Sequence, residues 1–171
     1  MIFSPIQIAN LEISNRIAVA PMCQYSADNG SMTDWHIMHL GQFAVSGVGL
    51  IFTEAVGVEM EGRISPGCLS LCSDEQEESF KRVIKFCYDF GNAKMGIQLA
   101  HAGRKASTEL PWLGGKPISS LEVRGWKTQA PSAIPLPSQT PHSSSTEVPP
   151  QTPAQSTSTV QLPSQSKFAS A

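Results

Sequence analysis

The sequence has no long hydrophobic run, no excess of basic charge and no cysteine framework, and each absence removes a class of function. Its longest apolar stretches, such as Val48 to Phe52, fall far short of the ~20 residues that a membrane-spanning helix needs. The first residues, MIFSPIQIANLEISNR, lack a basic start followed by an apolar stretch, so no secretory leader is expected. Twelve Lys and Arg against fourteen Asp and Glu give a net charge of −2. That balance offers no field for nucleic acid or an anionic membrane surface. The four cysteines, Cys23, Cys68, Cys72 and Cys87, show neither disulfide-scaffold nor zinc spacing, because Cys68 and Cys72 have no second pair. A reduced, cytoplasmic protein without a metal site is the expectation. The phosphate-cradling signatures GxGxxG and GxxxxGK[ST] are missing as well, which argues against a Rossmann or P-loop nucleotide site.

What is present divides at residue 137. Of the 35 residues from Pro137 to Ala171, 25 are Pro, Ser, Thr or Gln, and only Glu147 and Lys167 are charged. Such a segment cannot bury enough apolar surface to offset its ordering entropy, so a disordered tail is expected over 137–171. The abrupt change points to translation out of frame or an alternative exon. Residues 1–136 carry nearly all the aromatic and charged residues and form the folded region.

Within that region, Phe3 to Ile13 alternates loosely and predicts a short hairpin or an extended lead-in. Ile17 to Ala20 is a short apolar run ending at Pro21, a candidate buried strand. Asp28-Asn29-Gly30 marks a turn. Thr33 then stands as an N-cap with Asp34 at the positive helix end, and Trp35, Met38, Leu40, Phe43 and Ala44 give an imperfect helical stripe closed near Gly47. Val48 to Thr53 is a second candidate strand, ending at Glu54-Ala55. After a long connection, Ser73 with Gln76 reads as a capping box. Phe80, Val83, Ile84 and Cys87 follow at helical period, and Gly91 stops the helix. Lys94 to Leu99 is the third strand. Strand–helix–strand–helix–strand with continuous apolar strands predicts a parallel sheet covered by helices, the start of either a doubly wound sheet or an eight-fold barrel.

In both architectures ligands bind beyond the carboxyl ends of the strands. The residues there are Pro21, Met22, Cys23, Gln24 and Tyr25 after the first strand, Glu54 and Ala55 after the second, and Gln98, His101, Gly103 and Arg104 at the third. This set has no Ser-His-Asp arrangement and no carboxylate cluster. A thiol, a carboxamide, a phenol and small residues suit a flat, polar, uncharged ring better than hydrolysis. Each residue also has an ordinary structural reading. Cys23 could be a small core residue, Gln98 could satisfy buried backbone, and Tyr25 could only pack. His36 and His39 fit capping, packing or solvated imidazoles, His101 fits a supporting hydrogen bond, and Glu54 fits a structural role, paired or hydrogen-bonded near the site.

Ala20-Pro21-Met22-Cys23-Gln24-Tyr25-Ser26 resembles the first-strand motif of the Old Yellow Enzyme family, in its cysteine-containing branch. Asn15-Arg16-Ile17, Thr33-Asp34-Trp35-His36, Gly49-Leu50-Ile51, Glu54-Ala55, Gly62-Arg63-Ile64, Ser73-Asp74-Glu75 and Ile97 to Lys105 continue the likeness in order, to about Ala130–Ile134. The resemblance implies the amino-terminal part of a (β/α)8 barrel that binds FMN. It implies hydride transfer from NADPH or NADH to the flavin, and from it to the activated alkene of an enone or enal. It places Ala20, Pro21, Met22 and Cys23 along the flavin, Ala55 close to the ring, Gln98 on the pyrimidine edge, and Tyr25 in the substrate pocket. A dihydroorotate-dehydrogenase type of FMN barrel fits these motifs less well.

The likeness stops just after Pro135-Leu136, whereas a barrel of this type takes roughly 250 residues. The family's substrate-binding His pair, its tyrosine proton donor, a later flavin-contacting Arg and the phosphate site have no counterpart, and His142 does not supply one. No catalytic residue is therefore assigned. The alternative expectation is an inactive fragment with at most an interaction role, and a homo-oligomer is compatible with either reading.

Overall fold

The computed structural model describes residues 1–134 and the two-residue strand Val160–Gln161. The expected disordered tail lies otherwise outside the described residues. The chain opens with a hairpin of β1 (Ile6–Ile8) and β2 (Leu11–Ile13), paired antiparallel. A sheet follows with order β3 (Ala18–Val19), β4 (Leu50–Gly57), β5 (Lys94–Ala100) and β6 (Val160–Gln161). β3, β4 and β5 are parallel, and β6 adds antiparallel at Ile97 and Gln98. Helices α1 (Asp34–Ala44) and α2 (Asp74–Phe90) make the β3–β4 and β4–β5 crossovers. This is the parallel, helix-covered sheet that the sequence pattern predicts.

The core lies between the helices and one face of the sheet. Leu40 and Ala44 of α1, Ile51 and Val56 of β4, Met95 of β5 and Phe80, Val83, Ile84 and Cys87 of α2 are all buried there. The α2 stripe falls at i, i+3, i+4 and i+7, as its period requires. The α1 stripe does not hold throughout: Trp35 and Met38 are about half exposed, at 48% and 49%, because α1 packs through its Leu40–Ala44 side. Helix and helix meet where Gly41 faces the Phe86 ring. At their far ends the backbones come closer still. A Cβ on Gly91 would stand 2.2 Å from the Ala44 carbonyl oxygen, so only glycine fits.

The α2 start differs in one detail from a capping box. Ser73 Oγ accepts from the Gln76 amide at 3.3 Å, but the Gln76 side chain reaches back to the Cys72 amide, at 2.9 Å, instead of Ser73. Burial draws Gln76 inward: its Nε2 donates to the Asn29 carbonyl, tying the first loop to α2.

Cys87 has no polar partner to offset its burial, which pushes its thiol up from 9.0 to about 11. A group whose folded value is raised contributes stability that is complete below its unfolded value and is lost as pH rises through the folded one. Alkaline denaturation of the full chain should therefore steepen between pH 9.0 and about 11. Cys87→Ala should remove that share of the slope, measured by urea unfolding under reducing conditions, while the slope due to Cys23 and Cys68 remains.

Candidate functional site

The site face follows from register. Cross-strand partners share a face of a sheet, and successive residues alternate. Val19 packs against the helices, so Ala20 turns to the other face. Ala55 of β4 is the partner of Gln98 of β5, and both lie on the face away from the helices. Ala55 and the half-buried Gln98 thus stand side by side toward the carboxyl ends of β4 and β5, and Ala20 follows the last residue of β3 on the same face.

Cys23 joins the same rim. The next residue, Gln24, donates its amide to Glu54, which precedes Ala55, at 3.1 Å. Desolvation is the largest influence and raises the thiol above its usual range, with Cys68 and Glu54 adding to the rise and the Ala55 amide opposing it. The sulfur is accordingly neutral at physiological pH. Pro21 is half-buried and Met22 exposed at 44%, so between Ala20 and Cys23 the loop offers mostly backbone.

Tyr25 lies two residues on, in the left-handed region at φ 52°, a conformation that a bulky residue rarely adopts. Burial raises its phenol, and Cys23, Cys68 and Glu54 add to the rise. The ring meets Trp112 edge-on, centroids 5.8 Å apart. Gly67 makes room below, since a Cβ there would lie 2.6 Å from the Tyr25 carbonyl oxygen. Trp112 is absent from the sequence reading; it comes from a 3-10 turn at Pro111–Leu113, more than eighty residues along the chain, with no motif to mark it.

The three histidines among the described residues have defined neighbours. His36 is buried and contacts Glu54 at 3.2 Å. His101, beyond β5, donates from Nε2 to Glu59 at 2.7 Å, while its Nδ1 accepts from the Gly103 amide at 2.9 Å. His39 meets Phe43 edge-on. Cys68 is buried against Ser65, and Cys72 is exposed near Gln76. Beside Ala55 a cleft of about 310 Å³ opens between the β4 and β5 ends, lined by Gly57, Gly62, Ala100, His101 and Lys105. Cys23 and Tyr25 stand outside it.

The donor set fits a flavin. A carboxamide both donates and accepts, which matches a ring edge of alternating N–H and C=O groups. Alanines at 20 and 55 leave the face flat, and an uncharged sulfur adds no unpaired charge. These are the residues that could hold FMN.

Comparison with known proteins identifies the family. The chain is 46% identical over 135 residues to an NADH:flavin oxidoreductase of Gibberella zeae, covering 78% of this chain and 32% of that protein. It is 42% identical over 142 residues to an NADPH dehydrogenase of a Geobacillus species, covering 82% and 37%. Among solved structures it resembles morphinone reductase, with a TM-score of 0.61 and 25% identity over 78% of this chain and 32% of that one. It also resembles the Old Yellow Enzyme homologue of Zymomonas mobilis, with a TM-score of 0.57 and 28% identity over 61% and 29%. The chain spans about a third of the length of the curated relatives it matches, and its sheet and helices correspond to part of an Old Yellow Enzyme TIM barrel. Residues 1–122 match the family described as NADH:flavin oxidoreductase / NADH oxidase, and the chain belongs to that family.

Proposed function

We propose that the rim of Ala20, Pro21, Met22, Cys23, Ala55 and Gln98 is the flavin-facing part of an FMN-dependent NAD(P)H oxidoreductase that reduces the activated C=C bond of α,β-unsaturated carbonyls. The observation that carries this reading is the register pair Ala55–Gln98, with the Cys23–Gln24 loop tied to the same strand end by the Gln24 amide donating to Glu54 at 3.1 Å. When bound, FMN supplies a two-electron carrier between a nicotinamide and the β-carbon of the alkene. The chain's own part is positional. Gln98 fixes the ring's orientation through two opposed hydrogen bonds. Ala20 and Ala55 admit the ring to the strand ends. Cys23 sets a polarizable, neutral sulfur beside it, which tunes how readily the ring accepts electrons. Tyr25 donates its phenolic hydrogen to the carbonyl oxygen of the enone, polarising the alkene for hydride at its far carbon.

A second reading is favoured by the three parallel strands among the described residues, where a barrel of this type has eight. On it, this chain does not turn over alone and acts through its open sheet on longer copies. Steady-state NADPH oxidation with cyclohexenone, with excess FMN present, separates the two. Enone-dependent oxidation supports the reductase, and FMN binding without turnover supports the second reading. Absence of any FMN binding overturns the flavin site itself.

A further inference from the structure

A register shift between Phe52 and Ala55 gives β4 one residue more than β5. Such a bulge re-aims a side chain that strict alternation would send elsewhere. Here Thr53 and Glu54 are both buried, at 1% and 4%, and Glu54 turns toward α1 and the β3–α1 loop. Its Oε2 accepts from the Gln24 amide at 3.1 Å and its Oε1 contacts His36 Nε2 at 3.2 Å. The His36 tautomer follows from its other nitrogen: Nδ1 accepts from the Thr33 amide at 2.9 Å, so the ring hydrogen is on Nε2 and is donated to Glu54. Thr33 closes the circuit, its hydroxyl donating to the Ser26 carbonyl at 3.0 Å.

The two ends of this circuit grip residues 24 and 26, and Tyr25, in its left-handed conformation, lies between them. Held backbone on both sides is what a strained residue needs to persist. We propose that Glu54, His36 and Thr33 form a clamp that positions Tyr25, and with it the adjoining Cys23 loop, for substrate. They are positioning residues that touch neither substrate nor cofactor. The inference rests on the flavin-site reading for its purpose, though the clamp is testable without it. A carboxylate is required at position 54 because both its partners donate; a carboxamide satisfies one and turns N–H against the other.

The test uses the full chain and three variants, Glu54→Gln, Thr33→Val and Thr33→Ser, read by amide exchange and by the proton shifts of the Tyr25 ring, which the Trp112 ring current displaces. Tyr88, the only other tyrosine, is the internal reference. In Glu54→Gln, Gln24 amide exchange should quicken at least tenfold and the Tyr25 ring should lose its displaced shifts. Exchange at Val83, Ile84 and Cys87 in α2 should not change. Thr33→Val should quicken the Ala27 amide and move Tyr25 similarly, and Thr33→Ser, which keeps the hydroxyl, should behave as the parent. The clamp is overturned by unmoved Tyr25 shifts, by uniform acceleration that includes α2, or by Thr33→Ser failing like Thr33→Val. If Glu54→Gln does not fold, the Thr33 pair decides. Adding FMN to the parent chain separates the two claims: no FMN response with the expected exchange pattern removes the flavin site and leaves the clamp, and the reverse pattern removes the clamp alone.

Discussion

Replacing Gln98 with leucine is expected to weaken FMN binding by ten- to a hundredfold and to leave the fold intact. Leucine has nearly the same volume but neither donor nor acceptor. The ring edge would then face a hydrocarbon, and the polar groups it buries would go unpaired, at a cost of about 1–3 kcal/mol. The fold should tolerate the change because Gln98 is only half-buried and lies on the face away from the helices. Titration of FMN by absorbance gives the affinities, and far-UV circular dichroism checks the fold. Gln129→Leu, at an exposed position, should bind like the parent. Equal affinities for the Gln98 and Gln129 variants would remove Gln98 from the site.

The second large effect is on stability. Ile84 is 1% exposed and sits at the centre of the cluster between α2 and the sheet. Truncation to alanine removes three carbons from a packed interior and leaves a cavity, which costs about 2–5 kcal/mol. Whole domains have only ~5–15 kcal/mol in total, so a loss of this size is a large share of what holds the fold. Ile84→Ala should therefore be largely unfolded at room temperature, with the parent's cooperative urea transition lost or shifted close to zero denaturant. A transition at an unchanged urea concentration would mean that α2 does not anchor the fold as described. Lys85→Ala, on the exposed side of the same helix and held only by a surface pair with Asp89, should cost little by comparison.

The parts of the fold that rest on short-range pattern were legible in the sequence. Ser73 and the Phe80–Cys87 stripe mark α2, and Gly91 marks its end, because capping and helical period are local properties. The parallel sheet follows from unbroken apolar strands joined through helices. Other features depend on long-range contact. Trp35 and Met38 look like core residues by period, yet α1 packs through only part of its apolar surface. The β4 bulge cannot be read from Phe52-Thr53-Glu54-Ala55, because it exists only relative to the register of β5. For that reason the sequence places Glu54 near the site, paired or hydrogen-bonded, without naming His36 as its partner. Trp112 against Tyr25 is invisible for the same reason. Cys23, Ala55 and Gln98 come from strand ends and from family likeness, and their common face comes from the pairing of the strands.

The central claim is that FMN is received at the carboxyl ends of β3, β4 and β5. Amide chemical shifts of the 15N-labelled full chain during FMN addition test it most directly. Shifts should concentrate at Cys23, Gln24, Ala55 and Gln98 and saturate together. Shifts concentrated instead at the Arg63–Trp126 cleft, with Ala55 and Gln98 unmoved, would contradict it, as would no change at millimolar FMN.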